Sequence, residues 1–310
     1  MRIAQAALHW RNDCARKVAM QQQSFRPRRS ALYVPATNAK ALTKVSQLAS
    51  DCVIIDLEDA VAPDEKASAR QRMVEFFTAQ QPDQNKEMVI RINALSSPWG
   101  RDDLMAARAC RPDAILVPKV ETARDLLDVN DALDEAEARP ELSLWAMIET
   151  PRAVLNIGAI AELGRDRSAR LACFVVGTND LVKDTRIRPG PERGLLTPWL
   201  MQIVLAARAG NLDVLDGVAN NFSDLEAFSA ECEQGRDMGF DGKTLIHPAQ
   251  IAPANAIFSP SEEEVAAALA IRAAFALPEN QGRGVINLAG KMVERLHLEQ
   301  AEQLLARAGH

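Results

Sequence analysis

The alternation of short β-branched runs with longer amphipathic stretches predicts an α/β protein, a closed (β/α)8 TIM barrel with a C-terminal helical extension. Three observations carry that expectation. Eight candidate strands are spaced along the chain with helical segments between them. The 310 residues are 47% apolar and 25% charged, enough to bury a full barrel core and to exclude global disorder. No G-x-G-x-x-G follows the first strand and no Walker loop occurs, so the usual marks of a nucleotide-binding sheet are missing. An open doubly wound sheet remains the competing arrangement, because right-handed crossovers serve both.

Taken in order, the strands are read at residues 31–34, 52–56, 88–92, 114–117, 142–148, 171–176, 212–216 and 244–246. Residues 64–78 read as a helix, with Met73, Phe76 and Phe77 on one face, and so do residues 121–138. After His247-Pro248 the pattern changes. Ser259-Pro260-Ser261-Glu262 reads as a capping box with proline at the first helical position, opening an alanine-rich helix that Pro278 stops. A glycine-punctuated stretch from Gly282 to Gly290 then leads into a last helix over residues 293–308. The expected organisation is an N-terminal extension (1–27), a catalytic barrel (28–258), and a helical lid or oligomerisation segment (259–310). The first 25 residues carry Arg2, Arg11, Arg16 and Lys17 against a single acid, Asp13. That composition fits either a transit peptide or an extra helix or loose tail.

Several function classes fall away on composition. A net charge of −6 argues against a nucleic-acid binder. No apolar run reaches the 18 or more residues of a membrane span. The five cysteines (Cys14, Cys52, Cys110, Cys173, Cys232) are scattered without a C-x-x-C pair, so neither zinc nor a disulfide framework is expected. The chain is read as a soluble, cytoplasmic protein.

Charged residues fall where a barrel keeps its chemistry, at the C-terminal ends of strands. Strand two leaves through Asp56-Leu57-Glu58-Asp59, strand four through Pro118-Lys119, strand five at Glu149 and strand six at Asn179-Asp180. In strand three, Val89, Arg91 and Asn93 share one face. A buried arginine needs a partner: an internal salt bridge with Asp56 or Glu58 is one reading, a ligand-facing guanidinium the other. Glu149 and Asp180 come from neighbouring strands, so their oxygens converge. Two carboxylates with few other protein ligands suit Mg2+, which keeps water or substrate oxygens in its remaining positions. Such an ion suits a 2-oxo or 2-hydroxy acid and a developing enolate. The forked donors of Arg91 suit a carboxylate or carbonyl oxygen. His247, followed by proline, reads as a cap of the last barrel loop. Residues 183–193 hold Arg186, Arg188 and Arg193, which suit either CoA phosphates or an ordinary solvated loop.

The motifs Arg29-Ser30-x-Leu-x-x-Pro, Asp56-Leu-Glu-Asp-Ala-Val-Ala-Pro-Asp-Glu-Lys, Arg91-Ile-Asn and Pro118-Lys119 occur in this order. They are followed by Met147-Ile-Glu-Thr, Gly177-Thr-Asn-Asp-Leu and Gly239-Phe-Asp-Gly-Lys-Thr-Leu-Ile-His-Pro. In this the chain resembles the citrate lyase β-subunit-like family of the HpcH/HpaI aldolase and CoA-ester lyase superfamily, malyl-CoA lyases and thioesterases included. The resemblance implies a homotrimer or dimer of trimers. It also implies Mg2+-dependent cleavage or formation of a carbon–carbon bond in acyl-CoA substrates such as malyl-CoA or citramalyl-CoA. By a retro-Claisen route, a base takes the hydroxyl proton, the bond breaks, and an acyl-CoA enolate and an oxo acid result. Glu149 and Asp180 match the family's metal ligands, with Glu149 also beside the substrate, and Arg91 matches the arginine on substrate oxygen. Asp56, Glu58 and Asp59 match supporting acids behind the metal. Arg29 and Lys119 match basic positions near the substrate or its CoA.

Two departures stand out against that family. Its C-terminal aspartate acid–base, delivered to a neighbouring subunit's barrel, is replaced by Glu294 in Gly290-Lys-Met-Val-Glu-Arg-Leu-His. The longer side chain moves the carboxyl by about one bond, and misplacement of order 1 Å is costly in catalysis. Thioesterase members share similar C-terminal segments, so hydrolysis of the thioester is the alternative activity. A solvated residue on a terminal helix is the structural reading of Glu294. The second departure is Pro35-Ala36-Thr37-Asn38, where many relatives carry Pro-Gly and its easy positive φ. A subunit that works only beside an acyl-carrier partner is a third reading.

Overall fold

The computed structural model describes residues 26–79, 86–190 and 192–309. The expectation for residues 1–25 lies outside them. The chain forms two compact units, Arg28–Phe258 and a second that holds the described residues from Ser259 onward. In chain order the first unit contains β1 (Ser30–Pro35), α1 (Ala39–Lys44), β2 (Cys52–Asp56), α2 (Lys66–Ala79), β3 (Glu87–Arg91), α3 (Gly100–Cys110) and β4 (Ala114–Val117). It continues with α4 (Ala123–Glu135), β5 (Ser143–Ile148), α5 (Pro151–Ala161), β6 (Leu171–Val176), α6 (Thr178–Thr185) and α7 (Thr197–Ala209). It ends with β7 (Asp213–Asp216), α8 (Leu225–Met238), β8 (Gly242–Leu245) and α9 (Ile251–Ile257).

The eight strands pair in sequence order, all parallel, and β8 returns to β1 with Ala31 beside Thr244. That closure removes the open-sheet alternative. All five residues of β2 are buried, as expected of a parallel strand covered on both faces. Alternate side chains divide into two layers. Ala31, Ile54, Val89, Leu116, Trp145, Val175 and Leu215 fill the barrel. Val53, Ile55, Ile90, Ile115, Leu144 and Phe174 meet the helices. Each fully buried isoleucine contributes roughly 1.5–3 kcal/mol.

The eighth strand runs over Gly242–Leu245 rather than 244–246. Glycine and lysine mask it in the pattern, and the tertiary structure explains both. A Cβ at Gly242 would lie 2.0 Å from the Arg28 carbonyl oxygen. Lys243 is wholly buried, bonded to Asp216 and Glu231 at 2.7 Å each.

Arg28 closes the N-terminal end of the barrel. Its Nε and Nη2 donate to Glu87 at 2.7 Å, Nη1 donates to Asp213 at 2.6 Å, and the guanidinium lies 5.0 Å from the Trp145 ring centroid. Breaking a buried pair leaves carboxylates uncompensated, at a cost of about 3–5 kcal/mol. Arg28→Met is therefore expected to lower the thermal midpoint by several degrees, the scale being about 2–4 °C per kcal/mol for 150–250 residues and somewhat less for a longer chain. The kcat of the remaining folded protein stays unchanged, because the substitution is at the end opposite the strand exits.

The second unit holds α10 (Glu262–Ala276), a hairpin of β9 (Val285–Leu288) and β10 (Lys291–Glu294), and α11 (Arg295–Arg307). Ala274, Phe275, Ile286 and Val293 form one core, and Ala268, Ala301 and Leu305 another. Two details correct the sequence reading. The sequence contains two overlapping capping boxes, and the one used is Ser261 with Glu264, which leaves Pro260 outside the helix. Residues 293 and 294 belong to β10, so the last helix begins later than expected. The hairpin was hidden because its two-residue turn is Ala289-Gly290, at φ 52° and 82°, instead of the usual Asn-Gly. No helix among the described residues is long and apolar enough to cross a membrane.

Candidate active site

The inward-facing positions at the C-terminal ends of β2, β3 and β5 are Asp56, Arg91 and Glu149. Together with Tyr33, Gly177 and Asp180 they line a cavity of about 400 Å3. The guanidinium of Arg91 is forked on Asp56, Nε to Oδ1 at 2.7 Å and Nη2 to Oδ2 at 2.6 Å. Nη1 lies 2.8 Å from Glu58 Oε2 and 3.4 Å from Asp59 Oδ2. Tyr33 supports the group from one face, with its ring centroid 4.8 Å away. Asp56 also accepts from the N–H groups of Glu58 (2.9 Å) and Ala60 (3.2 Å). The internal salt bridge, one of the two readings of Arg91, is thus formed, and the arginine also borders the cavity.

Glu149 is fully buried. Its Oε1 accepts the Lys119 backbone N–H at 2.7 Å, which Lys119 presents from a left-handed conformation, φ 51°. Its Oε2 has no hydrogen-bond partner. The Lys119 ammonium lies 3.2 Å from Asp180 Oδ2, 3.5 Å from Glu58 Oε1 and 3.8 Å from Glu149 Oε1. One cation therefore faces three carboxylates. Burial, and then the charge of Glu58, pushes the Glu149 carboxyl up to about 8. Burial pushes Glu58 up to about 7 against the opposing charge of Arg91. Asp180 is partly buried, yet hydrogen bonds from Lys183 and Lys119 hold it below the usual aspartate range.

Gly177 makes room for Glu149. A Cβ there would lie 2.4 Å from Glu149 Cβ and 2.8 Å from Oε2. Gly177→Ala is expected to displace the carboxylate and lower kcat/KM by at least about 100-fold. Gly158→Ala, with nothing within 4 Å of the added methyl, serves as the control and leaves steady-state rates unchanged.

The donor set fits a hard divalent ion. Carboxylate oxygens converge on one ammonium position, and a buried carboxylate oxygen is left without a partner. Among the described residues no group of three or more His, Cys, Asp or Glu side chains is placed as a complete metal cage. A site of few protein ligands, completed by water or substrate oxygens, is the arrangement Mg2+ takes.

Residues 29–248 match the model of the HpcH/HpaI aldolase/citrate lyase family. The chain belongs to that family. It is 47% identical over 282 residues to a (3S)-malyl-CoA thioesterase of Cereibacter sphaeroides, covering 91% of this chain and 95% of that one. It is 34% identical over 296 residues to citrate lyase subunit beta of Escherichia coli, covering 94% and 96%. Among solved structures it is similar to protein CitE from Mycobacterium tuberculosis in complex with magnesium, acetoacetate and coenzyme A. That match has a TM-score of 0.71 and 28% identity, and covers 92% of this chain and 98% of that one. CitE shares the barrel fold.

Within this family member, not every residue expected at the site is there. Arg29 is a correction: it precedes β1, at the N-terminal end of the barrel, where its Nε and Nη2 bond Asp51 at 2.8 and 2.7 Å. A residue ahead of a barrel strand opens on the end opposite the chemistry, which the motif alone does not reveal. Arg193 is not free for phosphate. It is buried, with Asp216 at 2.9 Å and Gln234 at 2.9 Å. Asn93 lies past the end of β3 and bonds Asp103 and Lys66 instead of the cavity. Glu294 is the N-cap of α11, its carboxylate taking the His297 N–H and its own N–H donating to His297 Nδ1 at 2.9 Å. His247 caps a 3-10 turn, as expected, and stacks on Phe222 at 4.8 Å. Ala36 and Thr37 need no positive φ, and Asn38 caps α1.

Sequence reasoning missed Tyr33 and Lys66. Tyr33 was legible, standing two residues after inward-facing Ala31. Lys66 gave no signal beyond its place in the acidic motif.

Proposed function

We propose that the chain is a Mg2+-assisted enzyme acting on malyl-CoA-like esters, and that it hydrolyses the thioester. The observation that carries the site is that Arg91, Glu149 and Asp180 line one cavity of about 400 Å3. That volume accommodates the small hydroxy-acid end of a substrate. Support for hydrolysis comes from 47% identity to a malyl-CoA thioesterase over nearly the full chain. The second reading is retro-Claisen cleavage to an oxo acid and an acyl-CoA, favoured by the similarity to citrate lyase subunit beta.

Glu149 and Asp180 would hold the ion. Mg2+ bound there supplies a Lewis acid for the oxygens of the substrate. Arg91, fixed in place by Asp56, binds and orients a substrate carboxylate or carbonyl oxygen through Nη1, in exchange for its contacts with Glu58 at 2.8 Å and Asp59 at 3.4 Å. Lys119, whose side chain is 41% exposed, is able to withdraw its ammonium from the carboxylates and meet an anionic part of the substrate. Glu294 takes the acid–base assignment that the family resemblance implies, in competition with its capping bond to His297. The same resemblance brings a homotrimer or dimer of trimers into the proposal.

Purified chain incubated with Mg2+ and (3S)-malyl-CoA decides between the readings. Free thiol and malate, with no glyoxylate, is the expected result. Glyoxylate and acetyl-CoA in equal amounts would replace hydrolysis by carbon–carbon cleavage. No product from malyl-, methylmalyl-, citramalyl- or citryl-CoA would overturn both, and leave the subunit that needs an acyl-carrier partner.

The raised carboxyls set a pH dependence. Burial pushes the Glu149 and Glu58 carboxyls up to about 8 and about 7, above the ordinary 4.5, so the fold favours their protonated forms. Their contribution to stability is full below about pH 4.5 and is lost as pH rises through 7 and 8. Metal binding requires the ionised carboxylate, so Mg2+ affinity is expected to rise by up to about tenfold per pH unit below pH 7. Calorimetry from pH 6 to 8.5 checks this, and a flat profile would count against ligation by Glu149.

A further inference from the structure

Lys66 is buried at the start of α2, and its ammonium touches no part of the cavity lining. It bonds the main-chain oxygens of Leu57 (2.9 Å) and Glu58 (2.8 Å) and Asn93 Oδ1 (2.8 Å). All three acceptors are neutral, and the Trp99 ring centroid lies 5.3 Å away. Placing a lysine charge in such surroundings is costly unless every donor is used, and here all three are. Burial accordingly lowers the ammonium below the ordinary lysine range.

The acceptors are themselves anchored. Asn93 Nδ2 donates to Leu57 O at 2.8 Å and to Asp103 Oδ2 at 2.6 Å, and Arg70 holds the other Asp103 oxygen at 2.7 Å. The turn after β2 is thus gripped from both sides. On the cavity side, Arg91 and the N–H groups of residues 58 and 60 converge on Asp56. On the outer side, Lys66 and Asn93 hold the carbonyls of residues 57 and 58.

We propose that Lys66 is a positioning residue that fixes the acidic turn of residues 56–59 so that Glu58 and Asp59 meet Arg91 and Lys119. It acts through main-chain oxygens, one residue from the carboxylates that border the site. The lysine ending the Asp56-Leu-Glu-Asp motif and the asparagine of Arg91-Ile-Asn thereby acquire a common purpose, which their sequence separation conceals. The kinetic consequence rests on the proposed function of the cavity, whereas the ordering of the turn does not.

Two measurements on the full-length chain test it, with wild type, Lys66→Gln and Lys66→Arg. Amide hydrogen exchange over residues 57–61 is expected to quicken at least about tenfold in Lys66→Gln, while β6 exchanges as in wild type. Lys66→Arg, whose guanidinium reaches the same carbonyls, returns toward wild type. With Mg2+ and malyl-CoA, kcat per folded site is expected to fall about tenfold in Lys66→Gln, with KM within twofold, and to recover in Lys66→Arg. Unchanged exchange over residues 57–61 overturns the inference. Exchange that quickens equally in β6 also overturns it, since that marks a general loosening. Should Lys66→Gln fail to accumulate folded, Asn93→Ala, which removes the side-chain acceptor, is judged by the same two criteria. If wild type turns over no CoA ester, the proposed function fails and exchange alone decides the role of Lys66.

Discussion

Glu149→Gln is expected to abolish measurable Mg2+ binding and to lower kcat/KM by about 10³-fold or more, while the barrel stays folded. The substitution is nearly isosteric, and the amide oxygen keeps the Lys119 N–H bond of 2.7 Å. What is lost is the charge and the basic oxygen at Oε2, a buried atom with no hydrogen-bond partner. An amide nitrogen placed there repels a cation. Loss of one preorganised electrostatic contact in a buried site typically costs 10²–10³ in rate, and loss of an ion adds to that. Calorimetric titration with Mg2+ and steady-state kinetics check the two parts separately. Undiminished Mg2+ affinity in the variant would remove Glu149 from the metal site.

Arg91→Lys is expected to lower kcat/KM by roughly 10²–10³, although charge is conserved. The arginine satisfies both oxygens of Asp56, which is 1% exposed, and still presents Nη1 beside Glu58. An ammonium is a point donor on a shorter reach, so it serves Asp56 or the substrate but not both. Losing the two-point grip also leaves Asp56 under-paired, at about 1–3 kcal/mol of stability. A rise in KM with kcat preserved would make Arg91 an anchor that binds ground and transition states alike. Activity within threefold of wild type would show that the fork is not used.

The strands were readable because they carry short, largely apolar runs, such as Val53-Ile54-Ile55, Ala114–Val117 and Phe174-Val175-Val176, that are buried on both faces. The charged exits were readable because a barrel collects its strand ends on one rim. The eighth strand was not, since Gly242 and Lys243 earn their places through contacts with Arg28, Asp216 and Glu231, residues far away in the chain. Arg29 was misread for a related reason: a motif gives neighbours along the chain, not the end of the barrel on which they open. The hairpin before α11 was missed because Ala289 takes a backbone conformation that alanine seldom adopts.

The order of the motifs by itself pointed to the family, and the alternation of strands and helices to an α/β fold, because hydrophobic periodicity is a local property and survives in one dimension. The pairing of β8 with β1 decided that the sheet closes. The motif order also brought Arg91, Glu149 and Asp180 forward as a set. Only the tertiary structure decided that Lys119 stands among three carboxylates and that Lys66 and Asn93 hold the acidic turn from behind. It also decided that Arg193 and Arg29 are spent on ion pairs. Those outcomes depend on which charges lie within about 4 Å of one another, and Coulomb energies are set by separation in space.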